Sequence, residues 1–277
     1  MAADYPPSFT DEQAQHEAGL LDHAEQTGEQ VRQTTSVYPH LTLDDAYRVQ
    51  AAWLARKLAR GELVVGHKIG LTSKAMQAAM NIDTPDSGFL TDRMVFSPNT
   101  EIAADRFCDP KLEVELAFVL GSDVEGENLG VNEILAATDR IVPAIELIDA
   151  RSPRRDPETG RTRTVVDTVA DNAADAGIIC GDEGLDAAEL ATTDLGWLGA
   201  IARRNGEVEE TGLAAGVLGH PARGVAWLAQ RYHQQGMMLR AGDIVLAGSF
   251  TRPIDVRPGD EFQFDYGRLG AFGVRFT

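Results

Sequence analysis

Apolar positions recur along this chain in two different rhythms. Up to about Gly61 the spacing is helical. In "TDEQAQHEAGLLDHAEQTGEQVRQ", Thr10 stands as an N-cap with acids in the first turn, and Leu20 and Leu21 anchor the apolar side. In "LTLDDAYRVQAAWLARKLARGE", Thr42 caps a second helix, Ala46, Val49, Trp53 and Leu54 share its apolar stripe, and Gly61 stops it. Beyond Gly61 the rhythm shortens to β-branched runs punctuated by Gly, Pro and Asp. These runs predict strands over 63–69, 114–120, 141–148, 176–180, 244–247 and 261–265. Helices are expected between them at 73–80, 131–138 and 221–234, the last opened by Pro221. The first residues, with Pro6 and Pro7, read as a frayed tail, and the polar stretch 149–164 as a surface loop. The chain thus divides into an N-terminal tail with helices, residues 1–61, and a sheet-rich body, residues 62–277.

The run "KLEVELAFVL", residues 111–120, departs from a plain strand pattern. Successive side chains alternate faces, so Glu113 and Glu115 point one way and Leu112, Val114, Leu116 and Phe118 the other. A half-exposed strand with a wet face is the ordinary source of such acids. Here the acidic face continues as Ala117 and Val119, residues suited to burial. Buried carboxylates must be protonated, paired or bound to a cation, because an unpaired charge is too costly to desolvate. Glu146, in "PAIELIDAR", stands in a similarly apolar run, so two strands could bring three carboxylates to one point. Three oxygen ligands suit Mg²⁺ or Mn²⁺; an acid at a strand end facing water is the plain alternative.

Other positions add candidate chemistry. Lys68 lies in the apolar strand end of "GHKIGLTSKAMQ", where burial would lower its pKa and let it exchange protons near neutral pH. Snorkelling to the surface is the commoner fate of a lone lysine. The turn through Leu71, Thr72 and Ser73 leads into the helix expected at 73–80, whose free N–H groups would suit a carboxylate. Asp86, in "DTPDSGFL", is either a turn former or a second proton carrier beside Lys68. Ser249, Thr251 and Arg252 follow a C-terminal strand in "AGDIVLAGSFTRP", where polar groups line pockets or form an ordinary loop.

Composition narrows the partners. With 25 basic against 43 acidic residues the formal charge is −18, which repels phosphate backbones and anionic lipid surfaces. Neither nucleic acid nor a membrane is an expected partner, and an anionic small substrate would need a metal or a few placed cations. The 43% of hydrophobic residues is ample for a core. Cys108 and Cys180 lack CxxC spacing, so a disulfide scaffold or zinc ribbon is not indicated. The histidines show neither HxH nor HExxH spacing, no G-x-S-x-G elbow is present, and Gly212, Gly216 and Gly219 do not form a dinucleotide fingerprint. No apolar run approaches a membrane span and no signal-peptide pattern appears, so a cytoplasmic protein is expected.

Taken in order, "GHKIGLTSKAMQ", "PDSGFLTDRM", "KLEVELAFVL", "PAIELIDAR", "DTVADNAADAG", "GVLGHPARGVAWLA" and "AGDIVLAGSFTRP", then "VRPGDEFQFDYG", resemble the hydratase and decarboxylase branch of the fumarylacetoacetate hydrolase superfamily. The resemblance runs from about Leu41 to the C-terminus. It implies an α+β fold, a fumarylacetoacetase-like mixed β-roll with flanking helices, here with an added N-terminal helical segment. It implies Mg²⁺ or Mn²⁺ held by Glu113, Glu115 and Glu146, and places the branch's lysine and aspartate on Lys68 and Asp86. Leu71, Thr72, Ser73, Ser249, Thr251 and Arg252 are the expected substrate contacts, with Arg252 reading a distal carboxylate. The partner implied is a small 2-oxo dicarboxylate, bound by homo-oligomers built from dimers, up to a decamer.

The implied activity is that of a hydro-lyase in aromatic meta-cleavage catabolism, the homoprotocatechuate (4-hydroxyphenylacetate) route. Within the branch, "DARSPRRDPETGRTRTVVDT" favours a seven-carbon substrate, 2-oxo-hept-4-ene-1,7-dioate, over shorter ones. Its oxo-acid end would chelate the cation while Lys68 and Asp86 move a proton, turning the isolated alkene into a conjugated enone. Water then adds at the far end to give 4-hydroxy-2-oxo-heptane-1,7-dioate. Rivals sharing this site are a 2-oxo-3-enedioate (4-oxalocrotonate) decarboxylase and a 2-hydroxypenta-2,4-dienoate-type hydratase. An acylpyruvate C–C hydrolase is disfavoured because His67 lacks the Glu-His arrangement of that branch. A catalytically silent binding subunit is disfavoured because the site residues are all present.

Overall fold

The computed structural model describes residues 9–73, 77–78, 82 and 84–277. Both N-terminal helices form where the periodicity places them. Helix α1 (Asp11–Thr27) opens on a capping box, in which the Gln13 N–H donates to the Thr10 hydroxyl and the Thr10 N–H to the Gln13 side chain. It closes on Gly28, whose φ of 69° suits a residue without Cβ. Helix α3 (Leu43–Ala59) repeats the capping device with Thr42 and Asp45, and the short α2 (Thr34–Val37) lies between the two. Ala14, Ala18 and Leu21 of α1 and Ala46, Val49 and Trp53 of α3 share one buried cluster with Phe89, Leu90 and Met94 of the body. Trp53 is fully buried, edge-on to Phe89 with ring centroids 6.2 Å apart, and its indole N–H donates to Asp22 at 3.1 Å.

Among the described residues the body forms two sheets. The larger follows the order Asp86–Thr91 (β2), Val64–Gly70 (β1), Ile244–Leu246 (β11), Pro110–Leu120 (β5), Thr138–Asp149 (β6), Asp175–Cys180 (β7) and Val95–Phe96 (β3). Leu185–Asp186 (β8) pairs beside β6 and Ile254–Asp255 (β12) beside β5. The smaller runs Glu207–Leu213 (β10), Gly199–Arg204 (β9), Glu261–Asp265 (β13), Ala271–Phe276 (β14) and Thr100–Ile102 (β4). Parallel pairs (β1 with β11, β3 with β7, β14 with β4) stand among antiparallel ones, the mixed sheet that was expected.

The larger sheet is rolled. Lys68 on β1 and Glu146 on β6 are three strand spacings apart, about 14 Å in a flat sheet. Their Nζ and Oε1 nevertheless meet at 3.1 Å. Asn172, just ahead of β7, closes the roll onto β2: the Phe89 N–H donates to its Oδ1 at 2.8 Å and its Nδ2 donates to the Phe89 carbonyl at 3.0 Å. One face of β5, Leu112, Val114, Leu116 and Phe118, joins a core with Phe262, Phe264, Phe272 and Phe276 of the smaller sheet. The opposite face, with Glu113 and Glu115, faces the inside of the roll.

Several expectations change. Strands β5 and β6 extend beyond 114–120 and 141–148, because one antiparallel ladder carries them from Pro110 opposite Asp149 to Leu120 opposite Thr138. Strand β2 opens with Asp86, Ser87 and Gly88, a turn-like composition, yet pairing with β1 and complete burial hold it extended. In the smaller sheet only β13 was expected. Strands β9 and β10 are half-exposed and charged, so tertiary pairing decides them rather than periodicity. The stretch 149–164 is not a surface loop throughout: Asp149, Arg151, Ser152 and Asp156 are buried. Arg151 drives this, paired with Asp171 at 3.4 Å and Asp149 at 3.7 Å and lying 5.2 Å over the Trp53 ring. Residues 1–8 of the expected tail, and most of the helix expected at 73–80, lie outside the described residues.

Candidate active site

Antiparallel register builds the acidic cluster. Glu113 stands directly opposite Glu146 in the β5–β6 ladder, and Glu115 opposite Ala144, so all three carboxylates share one face. One oxygen from each lies within 4.8 Å of the others. Glu115 and Glu146 are fully buried, while Glu113 is partly open to a cavity. The Gly248 N–H donates to Glu115 Oε2 at 2.8 Å; among the described residues Glu115 Oε1 and Glu146 Oε2 have no hydrogen-bond partner, and Glu146 Oε1 meets the Lys68 ammonium at 3.1 Å. The Tyr266 hydroxyl pins the backbone behind them, donating to the carbonyls of Ala144 at 2.6 Å and Glu115 at 3.1 Å.

Burial and the charge of Glu146 push Glu113 up to about 8; burial, with Glu146 and Glu113, holds Glu115 well above the carboxylate range. Glu146 is also raised, by burial that the pull of Lys68 only partly offsets. Three hard oxygen donors converging with unsatisfied lone pairs fit a divalent cation such as Mg²⁺, Mn²⁺ or Ca²⁺.

Lys68 and Asp86 lie beside this cluster on neighbouring strands. The Lys68 ammonium is buried, 3.1 Å from Glu146 Oε1, and donates to the Ala173 carbonyl at 3.0 Å. The expected lowering of its pKa does not occur. Burial disfavours the ammonium, but Glu146 and then Asp86 outweigh it and hold the pKa above the ordinary lysine value. The apolar neighbours along β1 suggested otherwise; the rolled sheet brings acids from β2 and β6 instead. Asp86 is raised by burial against the pull of Lys68 and a Gly70 N–H, and among the described residues its Oδ1 has no hydrogen-bond partner. Gly70 permits this approach: a Cβ there would sit 2.2 Å from Asp86 Oδ1 and 3.0 Å from Lys68 Nζ. Helix α3 supports β2 from outside, where Gln50 donates to the Ser87 carbonyl at 2.9 Å and the Ser87 N–H donates to the Tyr47 hydroxyl at 3.2 Å.

A cavity of about 510 Å³ opens above these groups and is lined by Lys68, Asp86 and Glu113 among others. Leu71, Thr72, Ser73, Ser249, Thr251 and Arg252 all line it too. Leu71 takes a left-handed φ of 54°, and Thr72 is buried against Gly248, where a Cβ would lie 2.1 Å from the Thr72 hydroxyl. The helix N-terminus expected beyond Ser73 falls largely outside the described residues. Ser249 and Thr251 are committed to backbone: Ser249 Oγ donates to the Thr251 and Val114 carbonyls at 3.1 and 3.3 Å, and the Val114 N–H donates to Thr251 Oγ1 at 3.4 Å. Arg252 stands at the mouth, its side chain 84% exposed, bound to Glu210 at 2.7 Å.

Periodicity gave no sign of the turn Asn172–Ala174. All three residues have left-handed φ, 51°, 52° and 64°, at about 1–2 kcal/mol for each alanine. The one signal was Asn172, a residue that tolerates this region. Asp171, raised to about 6 by burial against Arg151 and Arg163, anchors the turn through the Arg151 N–H at 2.9 Å and Arg163 Nη2 at 2.8 Å.

With the rolled sheet and its acidic floor established, comparison with known proteins identifies the class. Residues 61–277 match the family Fumarylacetoacetate (FAA) hydrolase C-terminal, and the chain belongs to the fumarylacetoacetate hydrolase family. It is 51% identical over 260 residues to the 2-oxo-hept-4-ene-1,7-dioate hydratase of Escherichia coli, covering 94% of this chain and 96% of that one. It is 35% identical over 268 residues to the 2-keto-4-pentenoate hydratase of Paraburkholderia xenovorans (strain LB400), covering 97% and 96%. The solved structure of 4-oxalocrotonate decarboxylase from Pseudomonas putida G7, complexed with magnesium and adipate, matches with a TM-score of 0.90 at 34% identity, over 98% of this chain and 99% of that one. The relatives are thus hydratases and a decarboxylase, and the fold is the fumarylacetoacetase-like roll that was expected.

Proposed function

We propose that this protein is a metal-dependent hydro-lyase that adds water to 2-oxo-hept-4-ene-1,7-dioate, giving 4-hydroxy-2-oxo-heptane-1,7-dioate in aromatic meta-cleavage catabolism. One observation carries the chemistry: three carboxylates, Glu115 and Glu146 buried and Glu113 open to the cavity, converge on one face beside a buried Lys68 and Asp86, with oxygens of the buried pair left unsatisfied among the described residues. The substrate choice is supported by identity, 51% to the heptenedioate hydratase against 35% to the pentenoate hydratase. In this reading Glu113, Glu115 and Glu146 hold Mg²⁺ or Mn²⁺; the magnesium bound by the decarboxylase relative supports the first. When bound, the cation offsets the three carboxylates and steadies negative charge gathering on the oxo-acid oxygens.

Lys68 and Asp86 move the proton, acting as one coupled unit. They take it from the carbon between ketone and alkene and return it at the far alkene carbon, which conjugates the double bond to the ketone. Water then adds its oxygen to the enone carbon distant from the ketone, and a proton is returned beside the ketone. Gly70 leaves room for the pair, and the cavity lies within the span of about 300–1,000 Å³ typical of ligand pockets. Leu71, Thr72 and Ser73 form its wall, while Ser249 and Thr251 shape the loop over it. Arg252 binds the distal carboxylate in exchange for Glu210. The adipate bound by the decarboxylase supports a dicarboxylate ligand.

The same reading places the functional body at residues 62–277, supported by a family match that begins at residue 61. It also takes the protein to be a cytoplasmic homo-oligomer built from dimers, which sedimentation would test. Decarboxylation of 4-oxalocrotonate is the second reading, favoured by the TM-score of 0.90 to that enzyme. Incubation with each substrate and Mg²⁺, followed by NMR of the products, separates the two. The proposal expects hydration of the heptenedioate to exceed CO₂ release from oxalocrotonate at least tenfold in kcat/KM, about 1.4 kcal/mol; the reverse order overturns it.

A further inference from the structure

We propose that Asn172 is a positioning residue for the proton-moving pair: its amide ties β2, the strand bearing Asp86, to the left-handed turn whose Ala173 carbonyl fixes the Lys68 ammonium. This rests on the reading above that Lys68 and Asp86 move the proton. Among the described residues Lys68 has two close partners, Glu146 on β6 and the Ala173 carbonyl, so the turn sets one of these anchors. The alanines cannot hold that turn themselves, since left-handed φ is unfavourable for them. It is fixed from two sides.

On one side Asp171 is held by Arg151 and Arg163. On the other, the Asn172 amide takes the place of a strand neighbour, accepting from the Phe89 N–H at 2.8 Å and donating to the Phe89 carbonyl at 3.0 Å. The fit is close at the adjacent residue. A Cβ on Gly88, the ladder partner of Lys68, would lie 2.5 Å from the Asn172 carbonyl oxygen and 3.0 Å from Lys68 Cγ. Turn, β2 and the Lys68 stem therefore meet at one point, with the amide as the clasp. Loss of the clasp shifts Lys68 against Asp86 while leaving the carboxylates on β5 and β6 in place.

Asn172→Gly tests this, since glycine keeps the left-handed φ and removes only the amide. The expected result is a fall in kcat of about 100-fold, with KM and Mg²⁺ affinity by calorimetry each within about threefold. Hydrogen exchange at Phe89 should rise at least about tenfold, with β5 and β6 unchanged. Asn172→Asp keeps the acceptor for the Phe89 N–H but loses the donor to the Phe89 carbonyl, so its kcat should fall by about tenfold, short of the glycine variant, and it carries the test if the glycine variant does not fold. Unchanged kcat in either folded variant, or unchanged exchange at Phe89 in the glycine variant, overturns the proposal. A wild-type protein that turns over no oxo-acid would instead overturn the functional reading, and the exchange measurement would still judge the clasp.

Discussion

Glu113 and Glu146 face each other across a ladder, an arrangement that a soluble core would exclude unless something answers the charge. The alternation in "KLEVELAFVL" made the first half of that legible: two acids on a face that continues apolar are candidates for burial without any coordinates, and Glu115 is fully buried while Glu113 opens to the cavity. The direction of the Lys68 pKa was not legible, because its neighbours along β1 are apolar and the acids that raise it arrive from other strands. Glu113→Gln removes one oxygen donor and one charge; Mg²⁺ affinity should fall at least about 10-fold, and turnover at limiting Mg²⁺ with it. Lys68→Met keeps the trio, so calorimetry should find Mg²⁺ binding retained while kcat falls about 10²–10⁴-fold. Retained turnover in Lys68→Met would remove the lysine from the mechanism.

The β5–β6 pair concentrates like charges in one element, and this makes its stability depend on pH. Glu113, pushed to about 8, and Glu115 and Glu146, both raised, bind protons more tightly in the folded chain than the ordinary carboxyl value of 4.5 allows. Without a cation their contribution to stability is therefore full below about pH 4.5 and is lost as the pH rises through about 8. In EDTA the melting temperature should fall between about pH 6 and pH 8.5, and the gain on adding saturating Mg²⁺ should widen over the same interval. A gain independent of pH, followed by calorimetry, would contradict protons and cation sharing these oxygens. Elements with strong internal pattern, such as α1, α3 and the centres of β5 and β6, were readable in advance. Strand β2 and the turn Asn172–Ala174 were not, since each is held by partners distant in sequence: β1 and helix α3 for the strand, Phe89, Arg151 and Arg163 for the turn.

At the scale of the molecule, the roll is what converts scattered residues into a site. Strands β1, β2, β5 and β6 carry Lys68, Asp86, the Glu113–Glu115 pair and Glu146, and only curvature of the sheet brings them under one cavity. Helix α1 packs with α3 in one buried cluster, and through Trp53, Tyr47 and Gln50 helix α3 braces β2, so the N-terminal segment supports the candidate site without lining its cavity. Arg151 joins the same brace, which is why a stretch that reads as a polar loop is partly interior. Among the described residues no helix is long and apolar enough to cross a membrane. Under the proposed function, a net charge of −18 would leave the placed cations Lys68 and Arg252, together with the cation held by the carboxylates, to draw in an anionic substrate. Anomalous diffraction from crystals grown with Mn²⁺ at about pH 8 tests the centre of this account. It should show a peak at metal–oxygen distance, about 2.0–2.6 Å, from one oxygen each of Glu113, Glu115 and Glu146. Full Mn²⁺-dependent activity from crystals with no peak among those three carboxylates would contradict it.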